Sequence, residues 1–341
     1  MHHRNRGARS TAHWLGVWLL MLFGVACGGD ATTSETSSAA PSPSMRPQPA
    51  RELAAALGGE GTVTIELVHV PPGDFEMGED VPGAFDQKPH RVRITKGFYV
   101  GKYPVTVGQF RRFVDETRYR TTAEELGMAF TCTKGKCQPI QGVTWRTPGF
   151  PQTDSHPVVA ISWEDAGAFL DWARRKTGKP FRLPTEAEWE WAARGPEAMP
   201  FPWGREWESS RVDHLDVSAR DSGAFPSELT FSDDSDGYPF TAPVGVLDNV
   251  SWVGARDMLG NVWEWCSDWY QQRYYESSPT ADPAGPFDGT YRVLRGCSWM
   301  NPKPLCRSST RGWFEPLLRA TTRGFRVAID DDAFAGTEVG H

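Results

Sequence analysis

Between Gly195 and Asp257 the chain consists almost entirely of turn-forming residues, with no apolar run long enough for a helix or a regular strand. Stretches of that length are uncommon inside compact domains, and when ordered they have functional or metal-based reasons to be so. The rest of the composition agrees. Gly 34 and Pro 27 exceed ordinary usage, hydrophobic residues make up only 39%, and Trp reaches 15. Long apolar helices are therefore not how this chain builds its core. Large aromatic rings, each burying much area, are expected to hold an irregular backbone together.

Regular elements announce themselves outside that stretch. Thr106-Val107-Gly108-Gln109, Ser162-Trp163-Glu164-Asp165 and Thr185-Glu186-Ala187-Glu188 each place a hydroxyl at a helix start and a polar acceptor three residues on. Phe110, Phe113 and Val114 follow the first at helical spacing; Ala166, Phe169, Leu170 and Ala173 follow the second, which Gly178 ends. Trp189, Ala192 and Ala193 follow the third, which stops at Gly195. Short strands are predicted at Val63 to Val70, Arg91 to Thr95, Val158 to Ile161, Tyr291 to Leu294 and Phe325 to Ala328. The class is α+β, low in regular secondary structure, with long ordered loops.

The first residues carry a different message. Arg4, Arg6 and Arg9 precede an apolar run from Trp14 to Ala26, too short to cross a bilayer and suited to an export signal. Gly24-Val25-Ala26-Cys27 resembles a bacterial lipoprotein cleavage box, with Gly24 where an aliphatic residue is usual. The alternative is an ordinary signal cut near Ala26. We read residues 1–27 as the signal, 28–60 as a flexible linker rich in Ser, Thr, Ala and Pro, 61–331 as one domain and 332–341 as a tail. The expected location is the cell envelope, periplasmic or outer surface, with a lipid anchor at the membrane. A net charge of −7 gives no reason to expect nucleic acid as a partner.

Export permits disulfides. Cys132 and Cys137 flank Lys134-Gly135-Lys136, a turn suited to closing a short disulfide loop. A metal site there is the alternative, but no His or second Cys pair lies nearby. Cys266 reads as a buried, inert thiol. The eight His never fall at helical ligand spacing, and no phosphate loop or nucleophile elbow stands out.

Six motifs occur in one order: Phe75-Glu76-Met77-Gly78, Tyr103-Pro104-Val105-Thr106, Ile161-Ser162-Trp163-Glu164-Asp165-Ala166, Arg182-Leu183-Pro184-Thr185-Glu186-Ala187-Glu188-Trp189-Glu190, Gly260-Asn261-Val262-Trp263-Glu264-Trp265 and Gly324-Phe325-Arg326. Together they resemble the formylglycine-generating enzyme and sulfatase-modifying factor family from about Thr62 to Ile329. The resemblance implies a C-type-lectin-like fold rigidified by calcium. It also implies oxidation of a sulfatase Cys to formylglycine by O₂ and Cu(I), on a protein or peptide substrate.

In that family two thiolates five residues apart bind the copper, soft ligands of the kind that selects Cu(I). Here the turn reads Arg295-Gly296-Cys297-Ser298-Trp299-Met300-Asn301. Cys306 falls on the second copper position and Asn301 on the first, where an amide is a poor ligand. Cys297 replaces a family Gly and is a candidate second thiolate; the alternative is a Cys297–Cys306 disulfide or two buried thiols. Ser298 and Trp263 match positions lining the family's active site, although Trp263 is equally well explained as core. For calcium the resemblance implies Asp257 and Glu264 with the carbonyls of Gly260 and Val262, and a second set of Asp213 and Asp236 with the carbonyls of His214 and Tyr238. Hard cations take several oxygens, which these stretches offer. The alternatives are Asp257 and Glu264 buried against Arg295 or Arg326, and Ser232 to Gly237 as an acidic surface turn. Asp213 stands where the family usually has Asn.

Two functions follow, with a third held open. One is a formylglycine-generating oxidase using Cys306, Cys297, Ser298 and Trp263. The second is a calcium-rigidified binding module without copper chemistry. The third is an oxidase acting on another substrate.

Overall fold

The computed structural model describes residues 52–57, 63–81 and 86–334. The signal, Cys27 and most of the linker lie outside the described residues, as do residues 335–341 of the tail.

Two four-stranded sheets and two hairpins carry the fold. The first sheet runs β1 (Glu52–Leu57), β2 (Val63–Val70), β5 (Phe98–Gly101) and β12 (Ala328–Asp330), all antiparallel. Strand β1 corrects the linker boundary. Its alternating burial and full register from Glu52↔Val68 to Leu57↔Val63 place it within the domain. Its residues, Glu-Leu-Ala-Ala-Ala-Leu, are poor strand formers, and pairing with β2 overrides that propensity.

The second sheet has the order β10 (Arg311–Phe314), β9 (Arg292–Arg295), β8 (Trp263–Trp269) and β11 (Arg323–Gly324), with β11 parallel to β8. Thus Gly260–Trp265 feeds an inner strand and Gly324 lies beside Glu264. A Cβ at Gly324 would sit 2.8 Å from the Val158 carbonyl oxygen, so only glycine permits this approach. The hairpins are β3 (Gly73–Met77) with β4 (His90–Ile94), and β6 (Met128–Thr133) with β7 (Lys136–Gln141). Cys132 and Cys137 face each other across the second hairpin and are joined as a disulfide.

All three predicted helices form behind complete capping boxes: α1 (Val107–Thr117), α3 (Trp163–Thr177) and α4 (Glu186–Arg194). Phe110, Phe113, Phe169, Trp172, Trp145 and Phe325 make an aromatic core between α1 and α3. The predicted strand Val158–Ile161 is not one. Ala160 takes a left-handed conformation (φ 57°), and the segment instead makes single bonds to Val105 and Ala320 while its side chains are buried.

Gly195 to Asp257 is irregular apart from α5 (Val217–Asp221) and one 3-10 turn (Ser209–Arg211). Aspartate carboxylates hold it. Asp216 accepts from the amides of Ser218, Ala219 and Asp236 (2.8, 3.2 and 2.6 Å). Asp236 accepts from His214 and Tyr238 (2.9 and 2.7 Å), and Asp213 from Ala242 (3.0 Å). Each such bond satisfies a main-chain donor that no sheet or helix would otherwise pair.

Candidate functional site

After β9 the chain turns sharply, because Gly296 (φ 101°) and Cys297 (φ 56°) are both left-handed. That is unusual for Cys, which lacks the freedom of glycine. Main-chain bonds anchor the turn. Gly260 N donates to Gly296 O (2.7 Å), Trp299 N to Asn261 O (3.1 Å) and Leu215 N to Asn301 O (3.0 Å). The turn is therefore locked both to the entry of β8 and to the long irregular stretch.

Ser298, Trp263 and Asn301 come together there. Asn301 Oδ1 accepts from Ser298 N (3.0 Å), Ser298 Oγ (2.7 Å) and Trp263 Nε1 (2.8 Å). An amide N–H and an indole N–H can only donate, so the atom they meet must be the oxygen. The Asn301 NH₂ consequently faces away, and it donates to no group among the described residues. In the sequence Asn301 stands out only as a missing ligand. Its role in gathering Ser298 and Trp263 depends on turn geometry that no spacing rule reveals.

Cys297 and Cys306 are joined as a disulfide and are fully buried, among Phe201, Val212 and Leu259 with Trp203, Trp207 and Trp263 at the edge. Neither sulfur is a thiolate in this state, which is the disulfide alternative set beside the copper reading of the pair. Asn301, an amide with its oxygen engaged, does not replace the missing thiolate. The site as built does not fit Cu(I). Arg307, next along the chain, is ion-paired to Glu79. Cys266 is free and buried, and burial pushes its thiol well above the ordinary range.

The first calcium set is also altered. Arg326 holds Glu264 through Nε to Oε2 (2.6 Å) and Nη2 to Oε1 (2.7 Å), and Trp189 Nε1 donates to Oε2 (2.7 Å). Both Glu264 oxygens are engaged and its charge is compensated, so this set does not offer the second carboxylate the resemblance implies. Asp257 remains, buried, with Oδ2 accepting from Gly245 N (2.6 Å); burial raises its pKa to about 7. The carbonyls of Gly260 and Val262 stay in the adjoining turn. Arg295, the other candidate partner, pairs instead with Glu186 and Glu190.

The second set leaves one buried carboxylate oxygen, Asp213 Oδ1, open to a hard cation, while both Asp236 oxygens already accept main-chain N–H groups. Asp213 is buried and its Oδ1 has no partner among the described residues, while burial and the Asp236 carboxylate push its pKa well up. The Asp236 side chain has no exposure, so Ser232 to Gly237 is not simply a surface turn. The His214 amide, next to Asp213, binds Asp236 and brings the two carboxylates to one place. An orphaned buried carboxylate oxygen beside a second carboxylate calls for positive charge.

Comparison with known proteins agrees with this architecture. A profile described as "Sulfatase-modifying factor enzyme 1-like domain" matches residues 56–331. The formylglycine-generating enzyme of Streptomyces coelicolor is 34% identical over 336 residues, covering 90% of this chain and 98% of that one. The mouse protein named inactive C-alpha-formylglycine-generating enzyme 2 is 33% identical over 290 residues, covering 77% of this chain and 85% of its own. Among solved structures, PvdO from Pseudomonas aeruginosa superposes with a TM-score of 0.64 at 28% identity, covering 78% of this chain and 94% of that one. The fold is the formylglycine-generating-enzyme fold, and the chain belongs to the family of sulfatase-modifying factor enzyme 1-like domains.

Proposed function

We propose that this protein binds an extended protein or peptide segment at the surface around Trp263 and Asn301, without copper oxidation. The observation that carries the reading is Asn301 itself. Three donors lock its side chain at the position where the resemblance implies a thiolate, while the remaining thiolate candidate is tied to Cys297. A family whose members act on proteins supports a protein ligand. The description of the mouse relative as inactive supports a fold that persists without the oxidation.

Asp213 and Asp236, with the main-chain oxygens of His214 and Tyr238, hold a calcium ion in this proposal. The ion neutralises the two carboxylates and stiffens the irregular stretch beside the site. The protein works at the cell envelope, tethered through Cys27.

Oxidation remains as a second reading for one reason: reduction would leave the Cys297 and Cys306 thiols side by side. The test is to incubate the copper-treated chain with a Cys-x-Pro-x-Arg peptide, following binding by anisotropy and chemistry by mass spectrometry. Binding with no change of peptide mass is expected. Conversion of the peptide thiol to an aldehyde would establish the second reading instead.

A further inference from the structure

We infer that Asn301 selects the ligand at this surface, and that it selects a segment presenting a carboxylate. The inference rests on the binding reading above and adds the chemistry of the group that is bound.

An amide has two faces, and here only one is free. With Oδ1 fixed by Ser298 and Trp263, the amide cannot rotate to offer its oxygen outward, because a flip would set its NH₂ against two obligatory N–H donors. What the half-buried side chain presents is a pair of N–H donors in one orientation. A ligand atom meeting them must be an acceptor. A thiol is a weak acceptor and gains little there, whereas an oxygen gains a full hydrogen bond.

The sign of the acceptor follows from Lys303. It lies two residues on, exposed, in the 3-10 turn Lys303–Leu305, which prolines at 302 and 304 stiffen. Its Nζ sits 5.2 Å from the centre of the Trp207 ring and takes part in no ion pair among the described residues. The neighbouring cation Arg307 is already paired with Glu79 and is not available. An exposed ammonium two residues along the chain from the outward amide, held in no ion pair among the described residues, favours a carboxylate, whose oxygens take charge-assisted bonds about twice as strong as neutral ones. The half-buried rings of Trp203, Trp207 and Trp263 give such a segment apolar area to lie on.

The experiment uses the full chain and two labelled peptides, one with Cys-x-Pro-x-Arg and one with Asp in place of that Cys. The unmodified protein is expected to bind the Asp peptide about tenfold or more tightly than the Cys peptide. Asn301→Asp keeps an oxygen for Ser298 and Trp263 but turns the outward donors into an acceptor. It is expected to abolish the preference, weakening the Asp peptide about tenfold or more relative to the Cys peptide. Lys303→Gln is expected to weaken the Asp peptide severalfold and to flatten its salt dependence. An unchanged melting temperature shows that each variant is folded. Equal affinity for both peptides, unaltered in Asn301→Asp, would overturn this inference and leave the binding reading standing. Failure of the folded protein to bind either peptide would overturn both.

Discussion

Arg326 and Glu264 meet in a two-pronged ion pair with no access to water. Removing one member of such a pair leaves a buried charge unpaired, at a cost of about 3–5 kcal/mol. Arg326→Met should lower stability by that amount in urea unfolding, and the double change Arg326→Met with Glu264→Gln should recover much of it. Asp268 makes a second prediction. It is buried and accepts from Glu186 N (2.9 Å) and Ser267 Oγ (3.1 Å), and burial raises its pKa to about 7. The folded state therefore holds a proton that the unfolded chain has lost above about pH 4. Stability from this group falls as pH rises from about 4 to 7, by at most about 1.4 kcal/mol per pH unit. Asp268→Asn should remove that part of the slope in melting curves taken from pH 5 to 8, and an unchanged slope would exclude Asp268 as its source. From sequence alone, Glu264 between Trp263 and Trp265 already demanded either a cation or an arginine. Which of them it has is set by β11, whose parallel pairing to β8 brings the following Gly324-Phe325-Arg326 tract beside it.

Helix starts were the most legible elements, because a capping box is local chemistry. Thr185 Oγ1 accepts from Glu188 N (3.1 Å) while Glu188 Oε2 accepts from Thr185 N (2.8 Å). Thr185→Ala should destabilise by about 1 kcal/mol, measured by urea unfolding; no change would mean that Arg182, which grips Glu188, fixes the start alone. The same signal was present but passed over at Thr121 and Glu124, which cap the short helix α2 (Thr122–Leu126). With only Ala123 buried, that helix has no apolar face to draw attention to it. Strands were harder to place. Val158 to Ile161 has a strand's composition, but only the fold shows that Ala160 turns left-handed toward Ala320. Strand β1 has the reverse problem, since Ala-rich sequence becomes a strand only when β2 is beside it.

At the scale of the whole molecule, the ordered irregular stretch and the site depend on each other. Leu215 N donates to Asn301 O and Asn261 N to Asp213 O, so the turn bearing the site rests on the aspartate-held segment. That the segment must be ordered was legible in its length and composition. That Asp213, Asp216 and Asp236 hold it by accepting main-chain N–H groups was not, because their partners are scattered between His214 and Ala242. With calcium bound, Asp213→Asn should melt below the unmodified chain. In EDTA the order should reverse, since the variant no longer buries an uncompensated carboxylate. Identical melting with and without EDTA would remove calcium from the proposal.

The most direct measurement is a Cu(I) titration of the untreated full chain against a chromophoric chelator. No stoichiometric uptake is expected, because the sulfurs of Cys297 and Cys306 are bonded to each other and Asn301 offers no soft ligand. Uptake of one equivalent that disappears in Cys306→Ala would contradict a site built to bind rather than to oxidise.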